Sequence, residues 1–442
     1  MKRLFILSIL LVPAFLFASI QICAQSGRKE SALTARDTRP AEALYEDAND
    51  YVNKKITEFE RNHVPYDKQL EERTYREGRE AAARNAELLS ARSKLAGNDL
   101  YYLGLLYGLA DNNDKAIDAF RRFVSVVPPG VEAEHVQLAR LEIISIASRK
   151  QLFDEAEKAL ADYNINEPRT VDQRVGAEFE LAAGYHKANK LEQTLIHAKE
   201  AFSTLKLFQP SNQVEQTQKR QALSIVPQLL ARAYLELNRN DDAIAVLNEL
   251  RSLALALPSA ALYRKALTGL LDVGKSFETI KPIDSSDAPK TNPPELVVKE
   301  WMDQSPVKLS DLRGRVVLLD FWAHWCGPCI ATFPRLSKWH DKYKERGLVI
   351  LGVTRYFGEG DGRRMKPAEE LSFLKQFKKR HRLSYGFAIS DSSDNDSNYD
   401  VSSFPSAFLI DRKGIVRFIT IGGSAIEGAA LEKLIQVLLD EK

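Results

Sequence analysis

Cysteine is scarce: 442 residues hold three, Cys23, Cys326 and Cys329. That excludes a disulfide-stapled scaffold and a four-cysteine zinc site. An excess of one charge is also missing. Lys and Arg number 62 against 60 for Asp and Glu, a formal net charge of +2. Without a basic stripe, no nucleic-acid partner is expected. What is present is ordinary globular material, 44% apolar and 28% charged, which excludes global disorder, collagen and a multi-span membrane protein. The length exceeds one compact core, so two or three domains are expected.

Residues 1–24 have the plan of an export leader. Lys2 and Arg3 precede an apolar stretch over 4–17, and Ala18 and Ala24 are small residues near a cleavage point. An uncleaved anchor is the alternative, although about 14 apolar residues fall short of the ~20 a spanning helix needs. Ile22 stands before Cys23 where a lipoprotein signal wants Gly, Ala or Ser. The expected location is periplasmic or otherwise extracytoplasmic. Cleavage after Ala24 removes Cys23 and leaves two thiols.

Residues 25–96 form an N-terminal helical segment: 42–95 is rich in Ala, Glu, Arg and Leu, with Pro65 and Gly78 as its few breakers, and reads as two or more helices. Over 97–275 a unit recurs. Leu100, Leu103-Gly104, Tyr107, Ala116, Phe120 and Pro128 follow the tetratricopeptide pattern. A hinge pair nine residues apart then repeats as Tyr107/Ala116, Ala147/Ala156, Tyr185/Thr194 and Tyr234/Ala243, each around a polar turn. Packed helix pairs need a small side chain where the axes approach. The steps between units are 40, 38 and 49 residues, longer than the ~34 of a standard repeat, so the units are divergent. A generic helical bundle is the alternative. Such arrays offer surfaces for protein partners. His135, His186 and His197 are scattered, and no metal site is expected there.

Pro282, Pro289, Pro293 and Pro294 mark a linker over 276–294. From 295 the pattern turns α/β. Val316–Phe321, 348–354, 407–410 and 415–421 read as strands, and 329–346, 367–381 and 428–439 as helices. Residues 390–400 read as a solvated acidic loop without calcium-loop order, and 358–364 as a flexible Gly-rich turn.

Trp325-Cys326-Gly327-Pro328-Cys329 lies at the first strand–helix junction. A helix N-terminus stabilises a thiolate, so Cys326 is the expected nucleophile. Cys329, one turn further in, is the expected resolving thiol. Zinc would need two more ligands, and His324 and His340 lack the spacing. An inert structural disulfide is the other alternative. His324 is expected to be solvated.

The run Val317-Leu318-Leu319-Asp320-Phe321-Trp322-Ala323-His324-Trp325-Cys326-Gly327-Pro328-Cys329 closely resembles thioredoxin. Ser403-Phe404-Pro405-Ser406-Ala407-Phe408 and Val307-Lys308-Leu309-Ser310-Asp311-Leu312-Arg313-Gly314 resemble the TlpA/ResA-like branch of that family. The resemblance covers about residues 290–442. It implies that Pro405 is a cis-proline facing the sulfurs, and that Asp320 is a buried carboxylate taking the Cys329 proton. It also implies that Trp325, Gly327, Pro328 and Phe404 frame substrate docking. The sequence departs from thioredoxin in two ways: no lysine partner for Asp320 stands in 348–354, and Phe404 precedes Pro405.

The expected protein is therefore multidomain: an all-α, tetratricopeptide-like helical repeat array followed by an α/β thioredoxin-like fold over 295–442. Its expected activity is reduction of protein disulfides, with the redox-active disulfide Cys326–Cys329 and no metal or organic cofactor. Its expected partners are disulfide-bearing proteins, an upstream thiol electron donor and proteins bound on the repeats. A disulfide oxidase or isomerase, or a repeat scaffold whose α/β domain only binds, are the competing readings.

Overall fold

A computed structural model describes residues 37–65, 67–126, 130–275 and 291–441. The expected leader, Cys23, Pro128 and 276–290 of the expected linker lie outside the described residues. Among the described residues no helix is long and apolar enough to cross a membrane.

The chain begins with α1 (Ala41–Asn49), α2 (Tyr51–Arg61) and α3 (Lys68–Ser90). Pro65 falls between α2 and α3, and the Asp67 side chain caps α3 by accepting from Leu70 N at 2.8 Å. Hairpins follow: α4 (Asn98–Leu109) with α5 (Asn113–Ser125), α6 (Ala133–Arg149) with α7 (Phe153–Asn164), and α8 (Val171–Lys187) with α9 (Leu191–Leu207). After an extra helix, α10 (Gln213–Leu223), come α11 (Val226–Glu236), α12 (Asn240–Ala256) and α13 (Ala260–Asp272). The extra helix explains the step of 49 residues.

The hairpins share one turn chemistry. Asp111, Gln151, Asn189 and Asn238 take left-handed φ values of 59, 61, 57 and 58°. Each lets the following N–H reach back to the hinge carbonyl: Asn112 to Tyr107, Leu152 to Ala147, Lys190 to Tyr185 and Arg239 to Tyr234, at 2.8–2.9 Å. These bonds satisfy carbonyls that a helix end leaves orphaned. The small partners Ala116, Ala156, Thr194 and Ala243 are all completely buried. Gly104 shows why size matters: a Cβ there would lie 2.6 Å from the Phe120 ring. Successive first helices pack on each other, α4 on α6, α6 on α8 and α8 on α11, which is stacking of repeats rather than a closed bundle.

The second domain is a six-stranded sheet ordered β1-β6-β3-β2-β7-β8. Its strands are β1 (Glu300–Met302), β2 (Val316–Phe321), β3 (Leu348–Arg355), β6 (Gly386–Ser390), β7 (Ser406–Ile410) and β8 (Val416–Ile421). A separate hairpin pairs β4 (Glu359–Gly360) with β5 (Arg363–Arg364). The helices are α14 (Gly327–Tyr343), α15 (Pro367–Arg380), α16 (Asp394–Asn398) and α17 (Ala425–Asp440). β2 is buried throughout and runs parallel to β3 and antiparallel to β7, which explains why it is apolar at every position but Asp320.

Two expectations change. Residues 390–400 are not a solvated loop. Asn395 is buried and exchanges 2.8 Å hydrogen bonds with both backbone groups of Val297. Buried Tyr399 donates to the Pro294 carbonyl at 2.6 Å, and Asp396 pairs with Arg355 at 3.1 Å. Nor is 358–364 a flexible turn: it is the β4–β5 hairpin, anchored where the Glu370 carboxylate accepts from Phe357 N and Gly358 N at 2.7 and 2.9 Å. Polar residues facing inward to fixed partners have no signature separating them from surface polar residues.

The two domains are in contact. One hydrophobic cluster runs from Val175 and Leu195 in the array through Tyr263 into the sheet, while the front of the array, up to Tyr185, has its own.

Candidate active site

The site grows from the end of β2. After Phe321 the chain leaves the sheet through Trp322, fully buried, and turns so that Cys326 caps α14. Cys329 N donates to Cys326 Sγ at 3.2 Å and Ile330 N to the Cys326 carbonyl at 3.1 Å. Cys326 and Cys329 are joined as a disulfide with their Cα atoms 5.3 Å apart. Cys326 keeps 5% exposure and Cys329 none, the asymmetry an attacking and a resolving sulfur need. With the pair reduced, Cys326 Sγ at the helix N-terminus faces N–H donors and the positive dipole end.

The expected docking residues surround this pair unevenly. Trp325 is 56% exposed, and Gly327 and Pro328 are exposed beside it. Phe404 is half-buried, and its peptide bond to buried Pro405 is cis. Ring centroids of Trp325 lie 5.6 Å from Phe357 and 6.0 Å from Phe404. Phe357 and Phe404 are 6.3 Å apart, and the Arg355 guanidinium sits 4.5 Å over Phe357. The result is an aromatic wall that sequence reasoning credited to Trp325 and Phe404 only. Phe357 was missed because it falls between the strand over 348–354 and the turn over 358–364, where no element was expected.

Asp320 is 2% exposed and its Oδ2 has no hydrogen-bond partner. Burial pushes its pKa up to about 7, with Arg335 acting in the opposite direction. The β3 residue opposite Asp320 is Gly352. A side chain cannot fit there: a Cβ would lie 2.7 Å from Phe387 and 2.9 Å from Trp322 Nε1. The counter-charge missing from 348–354 instead comes from Arg335 on α14, whose Nη1 donates to the Ser424 carbonyl at 3.2 Å. The available signal was an arginine on the same helix turn as the buried Leu336, after a carboxylate in an apolar strand.

His324 is half-buried rather than fully solvated. It packs edge-on against Phe357 and Phe373, at 5.7 and 5.2 Å, and burial lowers its pKa. That shift disfavours a positive charge beside Cys326. His324 helps line a cleft of about 450 Å³ beside Trp325, with Ile330, Phe373, Phe377 and His381. Among the described residues no group of His, Cys, Asp and Glu could hold a metal ion.

Residues 289–419 match the AhpC/TSA family. The C-terminal domain is thioredoxin-like. Residues 100–129 match the tetratricopeptide repeat. The thiol-disulfide oxidoreductase ResA of Bacillus cereus (strain ZK / E33L) is 32% identical over 124 residues, 28% of this chain and 64% of ResA. Protein DipZ of Mycobacterium tuberculosis is 32% identical over 147 residues, 32% of this chain and 19% of DipZ. The chain thus spans less than two thirds of either relative. A solved thiol-disulfide isomerase from Corynebacterium glutamicum is 26% identical, with a TM-score of 0.30, covering 34% of this chain and 99% of that one.

Proposed function

We propose that this protein is an exported thiol–disulfide oxidoreductase that reduces protein disulfides through Cys326 and Cys329, with partner recognition by the repeats. The observation that carries it is the asymmetric sulfur pair at the N-terminus of α14, 5% and 0% exposed. In the dithiol form, the Cys326 thiolate attacks a substrate disulfide. A new S–S bond forms and one substrate thiolate leaves. Cys329 loses its proton to Asp320 and attacks Cys326 Sγ, releasing the second substrate thiolate and closing the Cys326–Cys329 disulfide. The substrate gains two electrons and two protons. An upstream dithiol donor returns both to the pair. Phe404–Pro405 and Trp325 hold the substrate backbone, while Gly327 and Pro328 leave Cys326 approachable. The basic-then-apolar leader over 1–24 supports export.

The test is trapping. A Cys329→Ala variant in oxidising growth should accumulate mixed disulfides on Cys326, identified by mass spectrometry. Absence of any trapped species contradicts the reading. A reduction potential near ~−270 mV supports a reductase, and one near ~−120 mV overturns it in favour of an oxidase.

A further inference from the structure

Packing between the domains runs along β8, but the hydrogen bonds from the array gather on residues 397–403, which lead directly into Phe404–Pro405. The first turn of α13 grips this segment. Helix N-termini leave backbone donors without partners. Here Ala260 N donates to the Tyr399 carbonyl at 3.1 Å and Ala261 N to the Asp400 carbonyl at 3.2 Å. Ser259 caps α13 by accepting from Leu262 N at 3.1 Å, and its hydroxyl donates to the Asp400 carboxylate. That carboxylate stands at the positive end of the α13 dipole.

Two arginines extend the grip. Arg220 of α10, 8% exposed, donates to the Ser397 and Asn398 carbonyls at 2.8 Å each and to the Leu257 carbonyl at 3.2 Å. It thereby ties the end of α16 to the end of α12. Arg264 of α13 donates to the Ser403 hydroxyl, and the Ser403 carbonyl accepts from Ser406 Oγ at 2.8 Å. So Ser403 is held from the array on one side and from β7 on the other, two residues before Pro405. Beneath this polar layer, fully buried Tyr263 meets Phe418 of β8 edge-on at 5.9 Å.

We propose that α13 is a positioning element of the active site: Arg264 and Ser259, acting through Ser403 and Asp400, set the Phe404–Pro405 segment on which substrate backbone docks. The inference rests on the disulfide-reductase reading above. It makes the array part of the substrate groove rather than a tethered recognition module. A peptide disulfide, which uses the docking segment, feels this positioning. A small disulfide, which reaches Cys326 without it, does not.

The test uses full-length Arg264→Ala, Arg264→Lys and Ser403→Ala, assayed with insulin and with the small aromatic disulfide DTNB. Arg264 is exposed, so its variants should fold, and the urea midpoint checks this. Loss of one charge-assisted hydrogen bond predicts a KM for insulin raised about fivefold or more in Arg264→Ala. The predicted kcat, DTNB rate and urea midpoint are unchanged. Arg264→Lys should recover part of the loss, and Arg264→Ala with Ser403→Ala should be no worse than either alone. An unchanged insulin KM with an active wild type overturns this inference alone, as does an equal loss with both substrates. A wild type inactive on insulin overturns the functional reading and this inference with it.

Discussion

His197 in the array and Asp320 in the α/β domain are both buried titratable side chains, and the fold treats them oppositely. In the array, His197 is 7% exposed and saturated with partners. Its Nδ1 lies 2.7 Å from the Glu178 carboxylate and its Nε2 3.0 Å from that of Glu157, which also accepts from Tyr185 at 2.8 Å. Burial works against the imidazolium, but the two carboxylates outweigh it and hold the pKa above the ordinary value. In the α/β domain, Asp320 is as buried but keeps Oδ2 without a hydrogen-bond partner. A satisfied polar network rigidifies a core. An unsatisfied carboxylate poised near neutrality is a cost to stability that a proton-transfer role explains. Under the proposed mechanism, the comparison separates a residue kept for structure from one kept for chemistry.

The sharpest way to break that contrast is to neutralise the carboxylate. Asp320→Asn should slow insulin reduction by about a hundredfold, the range of a lost general acid–base group, while stabilising the fold at pH 8. The sign follows from linkage. The folded pKa is pushed up to about 7 from an ordinary value of 3.8, so between those values the native state holds a proton the unfolded state has lost. Stability therefore falls as pH rises through that window, by as much as about 4 kcal/mol. Urea titrations should show Asp320→Asn losing this slope. A variant that is slower and also less stable at pH 8 would break the contrast.

The array residue should behave in the reverse manner. His197→Ala strands Glu178 in the core and should cost about 3 kcal/mol or more, with the insulin rate unchanged at temperatures where the variant is folded. His197 itself contributes stability that is complete below its unfolded pKa and is lost as pH rises through the higher folded pKa. His197→Gln should flatten that loss above pH ~6.5. The smallest effect expected is that of Arg335→Gln. Removing the counter-charge should move the rate inflection that reports Asp320 upward, by under about one pH unit. A downward shift would show that Arg335 acts on another group.

The array was legible wherever its chemistry repeats. Four hinge pairs named the four hairpins, because a buried small residue and a left-handed polar turn recur at fixed spacing. The core strands β2, β3, β7 and β8 were legible from their largely apolar, β-rich sequences, as were Cys326 and Cys329 from their place at a strand–helix junction. What stayed hidden was inward-facing polarity. Asn395, Glu370 and Asp396 look like surface residues in sequence, yet they anchor backbone and an arginine. Short β1 and β6 carry too few residues to show alternation. Arg335 and the seam through Arg220, Ser259 and Arg264 depend on contacts between distant segments, which local pattern does not encode.

The central claim is that Cys326 begins catalysis of disulfide reduction. Insulin reduction by the full-length protein beside its Cys326→Ala variant tests it most directly. The account predicts rapid turnover by the wild type and only the background rate of the reductant alone in the variant. Equal rates from the two proteins would contradict it.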